Sequence, residues 1–165
     1  MILEYENTYE EDAKNLLVSL QEHIKSIDIE GYNILTEEYR DSYFEETMKE
    51  VNEHDWKIFL YKQDEKIVGL IVGLVNNEIE QTYDFSAPKR GRITELIVLK
   101  DVRSNKIGTK LLSTMENYLY SIGCKDILIE AFAYNDKGVE FYKSHGYHIR
   151  MFDMTKSNNL SKSEE

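Results

Sequence analysis

The sequence predicts an α/β fold in which a mixed sheet is flanked by helices, and three observations carry that expectation. Lys57-Ile58-Phe59-Leu60-Tyr61 and the run from Lys66 to Val75 are β-branched and apolar, divided by the polar Gln63-Asp64-Glu65. That pattern predicts an antiparallel hairpin whose second strand is buried on both faces. Ile93 to Val98, apolar with the single carboxylate Glu95, passes through Arg103-Ser104-Asn105-Lys106-Ile107-Gly108-Thr109 into an amphipathic helix. That helix turns Ile107, Leu111, Met115, Leu119 and Ile122 inward, stops at Gly123, and leads to a strand over residues 126–133. A strand, helix, strand unit of this length implies parallel neighbours joined by a right-handed crossover.

The other elements follow in order. Ile2 to Tyr5 reads as a short first strand. Thr8 and Glu11 have the spacing of a capping box before a helix that buries Ala13, Leu16, Leu17, Leu20 and Ile24 and leaves Glu10, Glu11, Lys14 and Gln21 in water. Residues 26–35 form a connector. Thr36 is placed to cap a second helix with Phe44, Met48 and Val51 inward and the stem of Arg40 along the edge of the core. Residues 76–91 are polar, hold the only proline, Pro88, and read as a loop with strand extensions at its ends. Asn135 caps a further helix that runs to Ser144 and ends at Gly146, before a strand over 147–155. Residues 1–155 are expected to form one domain, and the Ser-rich residues 156–165 a frayed tail.

At 165 residues and 41% hydrophobic, the chain is long enough for one domain with a proper core. One cysteine, Cys124, excludes an internal disulfide, and no apolar run reaches the roughly 18 residues of a membrane span. The first residues lack the basic patch and apolar stretch of a secretory signal, so a cytoplasmic protein is expected. The net charge of -11 argues against nucleic-acid binding. Residues 1–60 carry 16 Asp/Glu and 5 Lys/Arg, and the remainder 15 of each. The acidic end is therefore followed by a basic middle, where Lys89, Arg90, Arg92, Lys100, Arg103, Lys106 and Lys110 are opposed only by Glu95 and Asp101. His23, His54, His145 and His148 show no metal-ligand spacing with the carboxylates or Cys124, so no metal is expected.

The junction after Val98 leaves backbone N–H groups at the first turn of a helix, and with the helix dipole these make an anion site. With Arg103 and Gly108 at the ends of the loop, and with Asn135, Phe141-Tyr142 and Gly146-Tyr147 downstream, the sequence resembles the GNAT family of acyl-CoA-dependent N-acetyltransferases over most of its length. The family signature is Gln or Arg, two residues, Gly, one residue, Gly or Ala. Here Lys106 stands where the middle glycine is usual, and its side chain needs a backbone angle that points it outward.

The resemblance implies a six- to seven-stranded sheet, splayed between two parallel strands, with acetyl-CoA in the opening. The backbone of Leu96, Ile97 and Val98 would bond the pantetheine and thioester carbonyl as an added strand does. The N–H groups of Ser104, Asn105, Lys106, Ile107, Gly108 and Thr109 would take the diphosphate, with Arg103 at the head of the loop also binding the cofactor. Asn135 would contact the pantetheine arm, although a plain N-cap satisfies it equally. Tyr142 would donate a proton to the departing thiolate; a phenol with a reference pKa of about 10 is protonated at neutral pH. An acceptor amine of reference pKa about 10.4 arrives protonated and needs a base. Glu130 and Glu95 compete for that role, each with the alternative of being a solvent-facing strand charge.

The expected reaction is transfer of acetyl from acetyl-CoA to an amine. The acidic first third suggests a cationic acceptor such as a polyamine or an aminoglycoside-like amine, with Glu22, Asp28, Glu30, Glu37 and Glu38 as contacts and Tyr9, Tyr32, Tyr39, Tyr43 and Tyr83 as wall residues. The alternatives are a protein lysine or N-terminal acetyltransferase and a non-catalytic acyl-CoA-binding regulatory module. Partners are then acetyl-CoA and an amine, without nucleic acid or membrane; a homodimer is left open.

Overall fold

The computed structural model describes residues 1–54, 56–76, 83–103 and 105–156. In chain order these form β1 (Ile2–Glu4), α1 (Glu10–Ile27), α2 (Tyr39–Glu53), β2 (Lys57–Gln63), β3 (Lys66–Asn76), β4 (Arg90–Val98), α3 (Ile107–Ser121), β5 (Asp126–Ile129) and α4 (Asp136–Ser144), with 3-10 turns at Asn7–Tyr9 and Lys100–Val102. The chain divides into two compact units, Met1–Glu130 and the part beginning at Ala131.

In the first unit the sheet order is β1-β2-β3-β4-β5, antiparallel except for the parallel pair β4 and β5. The β2–β3 hairpin closes through Asp64 and Glu65, both at positive φ, 47° and 64°. These angles twist the turn in the sense the strands require, and Lys62 holds it through an ion pair of 2.7 Å to Glu65. β3 is the centre of the sheet, with Ile67, Val68, Leu70, Ile71 and Val72 all buried. Its two faces meet different helices. Leu70 and Val72 join Ala13, Leu16 and Leu17 of α1 and Phe44 of α2 in one core. Gly69 and Gly73 of β3 and Gly91 of β4 lie under Leu111, Met115 and Leu119 of α3, and a Cβ on Gly73 would stand 2.4 Å from the Met115 sulfur. The sheet is thus a layer between α1/α2 and α3, as an alternation of buried faces demands.

Several expectations are corrected. The described residues contain five strands, not six or seven, because residues 147–156 form neither strand nor helix and β5 ends at Ile129 rather than Ala133. The Thr8/Glu11 capping box does not form: a 3-10 turn precedes α1, whose N-cap is Tyr9, with no side-chain cap. α2 likewise starts behind Glu38, and Thr36 contributes its carbonyl, 3.3 Å from the Tyr39 N–H, rather than its hydroxyl. Lys14 is buried, not wet. Its ammonium lies between Glu10 (2.7 Å) and Asp41 (2.9 Å), above the Phe44 ring, and this ion pairing ties α1 to α2. Arg40 adds a 2.6 Å pair to Glu11 from the edge, as its position on the stripe suggests.

The second unit contains α4. The Asn135 side chain accepts from the Gly138 N–H at 3.2 Å, so the expected cap forms, and Gly146 follows the helix at φ 90°. The expected tail beyond Lys156 lies outside the described residues. Among the described residues no helix is long and apolar enough to cross a membrane.

Candidate active site

The position of Glu95 is set by an irregularity in β4. Gly73 pairs with Ile93 while the adjacent Val72 pairs with Glu95, so Thr94 is an extra residue, a β-bulge. Gly73 faces Met115 of α3, and Ile93 opposite it shares that face. Regular alternation would send Glu95, two residues on, into the same apolar layer. The extra residue reverses the alternation and turns Glu95, beside Val72, toward α2.

There Tyr43 Oη donates a hydrogen bond to Glu95 Oε1. Burial pushes the Glu95 carboxyl up to about 7, and the Tyr43 hydrogen bond acts in the opposite sense by favouring the carboxylate. The Tyr43 phenol is pushed far up, first by burial and then by the Glu95 charge, so it remains a donor. Tyr39, one turn earlier, stacks on it with ring centroids 4.9 Å apart and planes 12° from parallel, and burial raises its phenol too.

A cleft of about 310 Å³ opens at this point. Tyr43, Glu46, Thr47 and Glu50 line it from α2, at the spacing of one helix face. Trp56, Thr94 and Glu95 supply the rest. Thr47 is buried and returns its hydroxyl to the Tyr43 carbonyl at 2.8 Å. Glu50 lies 3.5 Å from the His54 ring. The cleft therefore joins one half-buried carboxyl near neutral pKa to two acidic side chains and an indole.

Glu130 stands differently. It follows the end of β5, its side chain is 82% exposed, and Arg92 pairs with it at 2.8 Å. The structure thus separates the two candidate bases: Glu95 faces the cleft and Glu130 forms a surface ion pair.

The strand and loop expected to hold the cofactor are continuous. β5 pairs only with Arg90 to Ile93, so from Thr94 to Val98 the edge of β4 turned away from β3 has no strand partner among the described residues. Leu96, Ile97 and Val98 lie on that stretch. The Val98 carbonyl accepts from Arg103 Nε at 2.9 Å, which folds the loop back on the strand end. Lys100 to Val102 make one 3-10 turn, Asn105 donates its N–H to the Val102 carbonyl, and Ser104 lies outside the described residues. Lys106 is the N-cap of α3 and adopts φ 55°, ψ 24°, the left-handed region. That conformation explains why glycine is usual here, and it leaves the Lys106 side chain exposed. Ile107 is fully buried and anchors the helix start, followed by Gly108 and Thr109. Among the described residues the N-cap Lys106 makes no side-chain cap and no acidic residue occupies the first turn of α3, so its N-terminus could hold an anion. Burial together with the charges of Arg103 and Lys100 holds the His23 ring below its usual pKa. In the second unit, Asn135 is the N-cap described above, and Tyr142 packs edge-on to Phe141 and Tyr147 at 5.4 and 5.9 Å.

A model of the acetyltransferase (GNAT) family matches residues 29–147. The chain belongs to that family. Among its relatives, an uncharacterised N-acetyltransferase of Methanocaldococcus jannaschii is 35% identical over 88 residues, 53% of this chain and 49% of the relative. The match spans about half the length of that relative. A tetramutant of a Bacillus halodurans protein superposes with a TM-score of 0.81 at 17% identity, covering 96% of this chain and 99% of that one. An aminoglycoside antibiotic 6'-N-acetyltransferase from Acinetobacter haemolyticus gives 0.71 at 14% identity, covering 98% and 99%. At such identities the two structures show a shared fold. Among the described residues no group of His, Cys, Asp and Glu fits a metal, and Cys124 is buried, with burial pushing its thiol up.

The acidic residues expected at an acceptor site lie outside the lining of this cleft. Asp28 accepts from the Glu30 N–H at 3.0 Å and from Asn33 N and Nδ2 at 2.7 and 2.8 Å, so it folds the connector after α1, and the Asn33 contacts hold its carboxyl down at about 2. Glu22, Glu30, Glu37 and Glu38 are also outside the lining of the cleft. Glu46, Thr47, Glu50, Trp56 and Thr94 are cleft residues that the sequence does not mark as such. The spacing of Tyr43, Thr47 and Glu50 was a usable signal, one face round from the Phe44, Met48, Val51 stripe.

Proposed function

We propose that this chain transfers an acetyl group from acetyl-CoA to the amine of a small cationic acceptor held between α2 and β4. The observation that carries the reading is Glu95, turned by a bulge into a cleft that also contains Glu46 and Glu50. Three carboxyl groups in one cleft favour a cation, and the Trp56 ring adds a surface on which an ammonium is attracted. A volume of about 310 Å³ is at the small end of ligand cavities and suits a linear amine or a single amino side chain.

Acetyl-CoA supplies the acetyl group as a thioester. Its diphosphate would lie on the N–H groups at the start of α3, with Lys106 and Arg103 adding positive charge, and its pantetheine along the edge of Leu96 to Val98 that has no strand partner among the described residues. Glu95 takes a proton from the acceptor ammonium, which frees the nitrogen lone pair to attack the thioester carbon. A carboxyl with a pKa of about 7 is suited to this: ionised often enough to accept, and more basic than an exposed glutamate. The C–S bond breaks and the sulfur leaves with a proton, for which the family resemblance nominates Tyr142, and the second proton shed by the nitrogen as the amide forms restores that donor.

Thiol release from acetyl-CoA, measured at pH 8 across diamines, polyamines, aminoglycosides, lysine peptides and neutral amines, tests the reading. Turnover confined to cationic amines, with KM for them raised in Glu46→Gln/Glu50→Gln, supports it. Preference for neutral amines contradicts the acceptor class, preference for lysine peptides moves the acceptor to a protein, and binding of acetyl-CoA without turnover on any amine makes the chain an acyl-CoA-binding module.

A further inference from the structure

We infer that Tyr43 is a positioning residue for the base: its phenol occupies Glu95 Oε1, so that the proton taken from the acceptor goes to Oε2. This rests on Glu95 acting as the base. The argument is geometric. α2 carries Tyr43 over the bulge, and its Oη has Glu95 Oε1 as its hydrogen-bond acceptor. Tyr39 stacks on the Tyr43 ring, and Thr47 bonds the Tyr43 carbonyl at 2.8 Å, so both the ring and the backbone of Tyr43 are held. A carboxylate held at one oxygen by a neutral donor keeps its negative charge and presents the other oxygen in a fixed direction. Tyr43 keeps its own proton throughout; only Oε2 of Glu95 gains and loses one.

The surroundings leave Tyr43 as the group that counts. From α2 the other titratable residues at the cleft are Glu46 and Glu50, with His54 beside Glu50, and Tyr39 behind Tyr43. β3 presents the apolar Val72 opposite Glu95, and α1 presents Ala13, Leu16 and Leu17 to the same core, while its Lys14 is engaged by Glu10 and Asp41. Arg92, on β4 itself, is paired with Glu130. Tyr43 is thus the donor that favours the Glu95 carboxylate against desolvation by burial.

Tyr43→Phe keeps the ring and the stack and removes the donor. The pH profile of kcat/KM for acetyl transfer is then expected to move its acid limb upward by about one unit, because a hydrogen bond to the charged form has been lost. At pH 6 the variant falls about tenfold below the parent, and by pH 9 the two converge, as a shift of that size requires. A merely structural role would lower the whole profile without moving the limb. A ¹³C titration of the Glu95 carboxyl in the protein without substrates reads the same shift independently of turnover. Coincident titration midpoints in parent and Tyr43→Phe would overturn the inference. Glu95→Gln separates this failure from that of the underlying reading: if the acid limb survives in Glu95→Gln, Glu95 is not the base at all.

Discussion

Glu95→Gln is expected to stabilise the protein at neutral and alkaline pH and to leave it unchanged at acid pH. Burial lifts the native carboxyl from 4.5 to about 7. Between those values the folded chain keeps a proton that the unfolded chain has released, so stability falls as pH rises through this window and is level on either side. An interval of about 2.5 pH units at roughly 1.36 kcal/mol each sets the loss at up to about 3 kcal/mol. Glutamine is neutral and nearly isosteric, and its Oε1 can still accept from Tyr43, so the substitution removes the charge and keeps the hydrogen bond. For a chain of this length 1 kcal/mol is worth about 2–4 °C in Tm, giving a gain of roughly 6–12 °C at pH 8. Thermal melts of parent and variant from pH 4.5 to 9, followed by circular dichroism, measure it. A difference in Tm that is the same at pH 5 and pH 8 would refute the claim that burial desolvates this carboxyl. The expected gain is also a functional statement, since a site that binds a charge in poor solvent trades stability for reactivity.

Other outcomes follow from the same geometry. Lys106→Gly should stabilise the protein by about 1 kcal/mol, because glycine adopts the left-handed angles at φ 55° without the Cβ clash; urea unfolding checks it, and a loss of stability would mean that Lys106 makes a compensating contact. Gly73→Ala and Gly91→Ala should each cost about 1–3 kcal/mol, since their Cβ atoms would meet Met115 and Leu119 at 2.4 and 2.7 Å, and the same unfolding curves report it. Asn135→Ala should cost about 1 kcal/mol by removing the cap from Gly138 N–H, read as loss of helicity and Tm.

The layout of the fold was legible where one physical signal dominated. The buried runs of β3, the α3 stripe ending at Gly123, and the Asn135 cap each follow from burial or backbone geometry that only a few residue types satisfy. Helix starts were less legible: Thr8 and Thr36 have capping chemistry, but tertiary packing begins α1 and α2 elsewhere, behind Tyr9 and Glu38. In the segment 147–155, expected as a strand after Gly146, Ile149, Met151 and Phe152 are instead exposed. At the site, Glu95 and Tyr43 could be named from the sequence but not joined. Their contact depends on the bulge at Thr94, which no glycine or proline announces, and on a helix 52 residues away in the chain. The ranking of Glu95 against Glu130 was undecidable for the same reason: both are single carboxylates on strand-like runs, and only the fold places one in a cleft and the other opposite Arg92.

The most direct test of Glu95 as the base is the pH dependence of kcat/KM for thiol release with a diamine acceptor, in the parent, Glu95→Gln and Glu130→Gln. Activity should rise through pH 7 in the parent, because Glu95 accepts a proton only when ionised and its pKa is about 7. The same rise should persist in Glu130→Gln and vanish, with most of the activity, in Glu95→Gln. A rise that survives in Glu95→Gln and disappears in Glu130→Gln would contradict the account and return the role to the residue paired with Arg92.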